Sequence, residues 1–185
     1  MTEKLSDEIH QIFEAESQAI MKIPVNDHYA ESIDLIFEHV HKRKGKLITS
    51  GLGKAGEIAH SIATLFSSTG TPAVFLHPSE AQHGDLGVIQ ENDILLLVSN
   101  SGETREVIEL LDLVESLFPT LPVILITGND KSRLWARART GLYTGHPEEV
   151  CALGLAPTTS TTVMAAIGDA LVVLMMKRIG FTKDE

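Results

Sequence analysis

Two stretches of this chain are apolar at every position: Ile94-Leu-Leu-Leu-Val98, within 93–99, and Val123-Ile-Leu-Ile126, within 122–127. A strand with one face in water alternates apolar and polar residues, and these do not. They must be covered on both faces, which calls for a parallel sheet with helices on either side. The intervening segments supply the helices. Residues 54–68 carry Ile58, Ala59, Ile62 and Leu65 at helical spacing; 102–117 reads as a helix, 131–139 as a short one and 161–179 as a long one. Further strands are expected at 46–50, ending at Gly51, at 73–77, and at 141–144 as an edge. Such alternation defines a doubly wound α/β domain on a five-stranded parallel sheet.

Two helices precede the sheet. Leu5, Ile9, Ile12, Phe13, Ala19 and Ile20 give 5–22 an apolar stripe, which Ile23-Pro24 ends. Asn26 or Asp27 can cap a second helix running to Lys44, with Ile33, Ile36, Phe37 and Val40 as its stripe and Gly45 as its stop. The chain therefore divides into a helical pair over 1–44, packed on an α/β unit over 45–185, within one structural domain. The helix at 161–179 is apolar almost all round, so it is buried in the core or against another subunit. With two more stripes to cover, a homo-oligomer is expected, with a tetramer favoured and active sites at subunit boundaries.

Charge and composition remove several function classes. The 185 residues carry 15 Lys and Arg against 25 Asp and Glu, a net charge of −10. A duplex nucleic-acid binder needs a basic face, and the one basic cluster, His41 to Lys46, suits the solvated end of a helix. Aromatic residues at 5% give no support for stacking on single strands. A single cysteine, Cys151, allows no internal disulfide and fits a reducing compartment. The polar, acidic start does not resemble a signal peptide. The longest apolar run, 163–176, is short of the ~20 residues a membrane span needs and is interrupted by Asp169. A cytoplasmic protein without membrane or nucleic-acid partners is expected.

Two loops carry the chemistry. Ser50-Gly51-Leu52-Gly53-Lys54-Ala55-Gly56 follows the first strand and Ser99-Asn100-Ser101-Gly102-Glu103-Thr104 the third. Ligands of open parallel sheets bind beyond the carboxyl ends of the strands, where strand order reverses; in a 2-1-3-4-5 order that crevice lies between these loops. Ser99, Ser101 and Thr104 surround the start of a helix whose free N–H groups and dipole favour an anion, and Gly102 lets the backbone close around it. This arrangement binds a phosphate monoester without a cationic surface. The hydroxyls also suit helix caps, but one would suffice for that. The first loop matches G-x-G-x-x-G, and Glu80 could serve as the ribose acid of a dinucleotide site, a reading that leaves the hydroxyl-rich loop unexplained. Lys54 stands where its charge can reach across the crevice.

His77, Glu80 and His83 could offer zinc two imidazoles and a carboxylate, with no fourth ligand evident. A substrate-contacting loop with hydrogen-bonded histidines is the plainer reading. Glu148-Glu149 reads as solvated surface on its own, and the hydroxyl run Thr158–Thr162 as a helix N-terminus.

At these residues the sequence resembles a SIS (sugar isomerase) domain, and more narrowly the D-arabinose 5-phosphate isomerases. The carrying segments are 51–56, 68–72, 77–87, 99–104 and 153–170, and the similarity covers about 45–182. The resemblance implies a flavodoxin-like SIS fold and aldose–ketose isomerisation between D-ribulose 5-phosphate and D-arabinose 5-phosphate through an enediol, feeding 3-deoxy-D-manno-octulosonate synthesis for lipopolysaccharide or capsule. It implies no obligatory cofactor and a homotetramer. Lys54, Glu106 and Glu149 match the family's catalytic positions. Gly51, Gly53, Gly70, Thr71, His83, Ser99, Asn100, Ser101 and Thr104 fall at substrate-binding ones. His77 matches a position where inhibitory zinc can bind.

Two family features have no counterpart in this sequence: a pair of CBS repeats, and a histidine in a His-Pro-Gly-Gly run thought to reach a neighbouring subunit's site. His10, His28, His39, His41, His60 and His146 are the residues open to replace it. The alternatives are another SIS isomerase, such as a 3-hexulose-6-phosphate isomerase, a non-catalytic SIS sensor of sugar phosphates, or a nucleotide-binding dehydrogenase.

Overall fold

The computed structural model describes residues 3–182. Its elements follow in the order α1 (Glu3–Met21), α2 (His28–Ile36), β1 (Leu47–Gly51), α3 (Gly53–Ser68), β2 (Ala73–Phe75), α4 (Pro78–Ala81), β3 (Ile94–Val98), α5 (Arg105–Leu117), β4 (Val123–Thr127), α6 (Arg133–Arg137), β5 (Thr140–Tyr143) and α7 (Thr159–Ile179). The five strands form one sheet in the order β2-β1-β3-β4-β5, every pairing parallel. The reversal of strand order between β1 and β3 opens the expected crevice beyond their carboxyl ends.

The apolar runs explain the layering. Residues of β3 alternate between two cores: Ile94, Leu96 and Val98 face one, Leu95 and Leu97 the other. The first core is closed by α2, α3 and α7, the second by α4, α5 and α6. α3 and α7 approach so closely that a Cβ on Gly168 would lie 2.5 Å from Ile62 Cγ1.

Several boundaries differ from those expected. The second helix continues from Phe37 to Lys42 as a π-helix, and Lys44, not Gly45, takes the left-handed position after it (φ 62°). Gly45 is needed because a Cβ there would sit 2.2 Å from the Asn92 carbonyl oxygen. α5 starts at Arg105, not 102, because Gly102 is itself left-handed (φ 62°). β2 stops at Phe75, and Pro78 opens the short α4 in a segment expected as loop.

α7 is long and apolar enough to cross a membrane by length and composition, yet Val163, Met164, Ile167, Leu171 and Met175 are buried in the first core. It is a core helix on that face, with Val173 and Leu174 exposed on another. α1 lies against α7 but buries none of its residues; Phe13 keeps 63% of its surface exposed and Met21 84%.

Candidate active site

A cleft of about 750 Å³ lies at the carboxyl end of the sheet. Lys54 and Leu52 enter it from the loop after β1, Asn100, Ser101 and Thr104 from the loop after β3, and His146, Glu148, Glu149 and Cys151 from the long segment after β5. Ser160, Thr161 and Met164 of α7 form its remaining wall. Strand order locates the cleft; the segment after β5 is what deepens it.

The β1 loop is shaped by its glycines. A Cβ on Gly51 would lie 2.8 Å from the Val98 carbonyl oxygen, and one on Gly56 would lie 2.6 Å from the Gly51 carbonyl oxygen. Gly53 turns the chain with φ 59°. The G-x-G-x-x-G spacing therefore serves tight strand–helix packing and places Lys54 in the first turn of α3 at the cleft.

The β3 loop is rigid. Ser99 is buried, its Oγ 2.9 Å from Thr104 Oγ1 and accepting from Gly102 N at 3.2 Å. It therefore braces the loop, while Asn100, Ser101 and Thr104 face the cleft. Ser101 Oγ accepts from Glu103 N at 3.1 Å. That leaves its O–H free to donate. The loop after β4 locks this arrangement: Thr127 Oγ1 donates to the Asn100 carbonyl (3.2 Å) and Asn129 Nδ2 to the Ser101 carbonyl (3.0 Å). A Cβ on Gly102 would collide with Ser132 Oγ at 2.0 Å, so the turn admits only glycine. Together with the free N–H groups at the start of α5, these groups form a cradle for an anion.

Glu149 differs from the solvated carboxylate its neighbours suggest. Its Oε2 accepts from Thr158 N (2.8 Å), Thr158 Oγ1 (3.1 Å) and Ser160 N (3.3 Å), so Glu149 caps α7 in place of the hydroxyl run. All three of these bonds converge on Oε2, and Glu149 itself lines the cleft. Burial pushes the Glu149 pKa up, but hydrogen bonds from Ser160 and Thr158 outweigh it and hold the carboxyl below the usual range. Cys151 Sγ accepts from Leu155 N and Ala156 N, both at 3.1 Å. The Ala156 N–H does most to lower the thiol pKa; burial opposes it, and further backbone N–H groups add to it.

Not every expected site residue reaches this cleft. Glu106 sits half-buried in the first turn of α5, outside the cleft lining. His83 is exposed on the turn after α4, also outside it. Gly70 and Thr71 occupy the α3–β2 turn, at the amino end of the sheet; Thr71 Oγ1 lies 3.0 Å from His41 Nε2. Within one chain that is the opposite end from the cleft. Gly51, Gly53, Lys54 and His77 line a neighbouring hollow of about 400 Å³. Among the described residues no three His, Cys, Asp or Glu side chains gather to hold a metal ion, so His77, Glu80 and His83 do not form a three-ligand set. Sequence reasoning missed Cys151 as a cleft residue and left His146 unranked among six candidate histidines. For His146 a signal existed, since it stands just past the carboxyl end of a parallel strand, β5.

Residues 39–174 match the model of the SIS domain family. The chain belongs to that family. It is 39% identical over 177 residues to the arabinose 5-phosphate isomerase KdsD of Yersinia pestis, an alignment covering 95% of this chain and 52% of that protein. This SIS chain thus spans about half the length of the curated relatives it matches. Among solved structures, a candidate phosphosugar isomerase involved in capsule formation from Bacteroides fragilis NCTC 9343 is 58% identical, with a TM-score of 0.97 over 98% of this chain and 94% of that one. An Escherichia coli CFT073 protein in complex with arabinose 5-phosphate is 32% identical, with a TM-score of 0.91, covering 100% of this chain and 96% of that one.

Proposed function

We propose that this SIS domain interconverts D-ribulose 5-phosphate and D-arabinose 5-phosphate through an enediol. One observation carries the reading: a hydroxyl- and amide-lined cradle (Asn100, Ser101, Thr104) shares a cleft with a cation (Lys54) and an oriented carboxylate (Glu149). The names of the Yersinia pestis and Escherichia coli relatives support this choice of pentose phosphate.

The chemistry follows from the groups. Moving a carbonyl from C2 to C1 requires a base for the C1 proton, its return to C2, and positive charge near the oxygen that becomes anionic. The cradle holds the phosphate and so fixes the far end of the sugar. Glu149, kept ionised by its hydrogen bonds from Ser160 and Thr158, is the base of this proposal, and Lys54 faces the enediolate oxygen. Glu106, outside the cleft lining, is the less suitable base. The hydrogen moves within the substrate, so the reaction consumes no redox cofactor. Gly70, Thr71 and His83 contribute to substrate binding only if assembly carries them to a cleft. The companion proposals are a cytoplasmic homotetramer, a supply role for 3-deoxy-D-manno-octulosonate synthesis, and His77 as a weak zinc contact.

The test is NMR of ribulose 5-phosphate with the protein in deuterated water. Formation of arabinose 5-phosphate is expected, with deuterium at C2 to the extent that the proton held on Glu149 exchanges with solvent before it returns. Binding without turnover or exchange would leave a sugar-phosphate sensor instead.

A further inference from the structure

His146 has three properties that no cap or packing role explains. It lines the cleft with Lys54 and Glu149. Its backbone is left-handed (φ 51°), directly after the left-handed Gly145 (φ 81°). Such a conformation is strained for a residue with a β-carbon, and strain of this kind persists where the surroundings impose it, often at functional sites. The surroundings do impose it: Thr144 N donates to the Thr127 carbonyl, His146 N to Thr144 Oγ1, and Gly145 packs on Lys22 and Pro24 between α1 and α2.

The imidazole is also fixed in tautomer. His146 Nδ1 lies 3.0 Å from the carbonyl oxygen of Gly128. A carbonyl can only accept, so Nδ1 carries the hydrogen and Nε2 of the neutral ring is a bare acceptor. Nε2 has no hydrogen-bond partner among the described residues. The other titratable groups of the cleft are Lys54, Glu148, Glu149 and Cys151. Lys54 is a cation. Cys151 Sγ is turned into the amides of its own loop, Glu149 Oε2 is spent on α7, and Glu148 is exposed at the rim.

We propose that His146 is a catalytic residue that relays the hydroxyl proton of the isomerisation within its own subunit. The role rests on the isomerase reading above. In the ketose-to-aldose direction the C1–H bond breaks and its proton goes to Glu149. Nε2 takes the proton of the O1 hydroxyl as the C1–O1 double bond forms, and the same proton passes to O2, which becomes a hydroxyl. The carbon proton returns to C2. One O–H and one C–H bond break and one of each forms, so nothing external is consumed. The relay needs a group that both takes and gives a proton near neutral pH, which imidazole does and carboxylate or ammonium does poorly.

Three variants test this. Asn tolerates a left-handed backbone, and its amide Nδ2 can replace the Nδ1 hydrogen bond, so His146→Asn removes little except Nε2. Turnover should fall about a hundredfold or more, with arabinose 5-phosphate affinity by calorimetry within about twofold of wild type. His146→Gly relieves the backbone and opens a space; added imidazole should restore its turnover at least tenfold. His146→Ala, which keeps a β-carbon at φ 51°, should melt below His146→Gly. His146→Asn turning over within threefold of wild type, or a His146→Gly loss that imidazole does not relieve, would overturn the relay. A wild type that binds arabinose 5-phosphate without turnover would instead overturn the isomerase reading beneath it.

Discussion

Ser99 and Ser101 are two positions apart and chemically identical, yet the structure assigns them different work. Ser101 faces the cleft with a free O–H, so Ser101→Ala should weaken phosphate binding by about 1.5–3 kcal/mol, roughly ten- to a hundredfold in KM. Ser99 is 2% exposed and holds Thr104 and the Gly102 amide. Ser99→Ala should therefore lower thermal stability, by about 1–3 kcal/mol, as well as loosen the cradle. Sequence alone places both hydroxyls in one loop but says nothing of which side each faces, because that depends on the turn at Gly102 and on Ser132 behind it. Glu149 makes a pH-dependent prediction. Its pKa is lower folded than unfolded, so its stabilising contribution is fully present above the unfolded carboxylate pKa and is lost as pH falls through the folded one. The melting temperature of Glu149→Gln should lie below wild type at neutral pH, and the gap should narrow on acidification through the carboxylate range. A gap that stays constant down to strongly acidic pH would mean that the cap does not depend on charge.

At the scale of elements, the parallel strands were legible because burial on both faces leaves no polar alternation in β3 and β4, and the helical segments between them supply the cover that a parallel sheet needs. What periodicity cannot carry is the end of an element. The π-helix at Phe37–Lys42, the left-handed Lys44 and the late start of α5 are set by neighbours distant in sequence, such as Asn92 behind Gly45. The cap of α7 is the same kind of case, since Glu149 reaches Thr158 and Ser160 across a loop that no local pattern describes. The candidate site was legible from the residues where it lies on the strand-order reversal, at Lys54 and 99–104, whereas along the segment after β5 only the family resemblance marked Glu149. Within an element, tight packing gives a sharp test. A methyl at Gly168 would need Ile62 to move, because Cγ1 and Cδ1 would lie 2.5 and 2.7 Å away. Gly168→Ala improves helix propensity, yet it should still destabilise by about 1–3 kcal/mol through overpacking. Gly168→Ala with Ile62→Val should recover part of the loss in chemical denaturation.

The whole molecule carries more uncovered apolar surface than its own fold resolves. α1 has an apolar stripe along its length, and in the single chain none of its residues is buried. Leu5, Ile12, Phe13 and Ile20 on α1, and Val173 and Leu174 on the outer face of α7, remain exposed although the two helices lie together. A stripe at regular helical spacing is a patterned surface, not scattered apolar residues, and patterned surface of this kind marks an interface. The proposed homo-oligomer would supply a second copy as the partner, because a two-fold axis lets the same α1–α7 face cover itself. Assembly also bears on the expected substrate contacts, since Gly70 and Thr71 lie at the far end of the sheet from their own cleft. Phe13→Glu combined with Ile12→Glu should therefore shift light-scattering mass at micromolar concentration from a multiple of the chain to a single chain. The core, which these side chains do not enter, should stay folded, with helix content unchanged by circular dichroism. Activity lost together with the assembly would mean that subunits share the site; activity retained in the dissociated form would mean that each cleft is complete in its own chain. A wild type that scatters as a single chain at those concentrations would remove the interface altogether and leave the α1 stripe without a function.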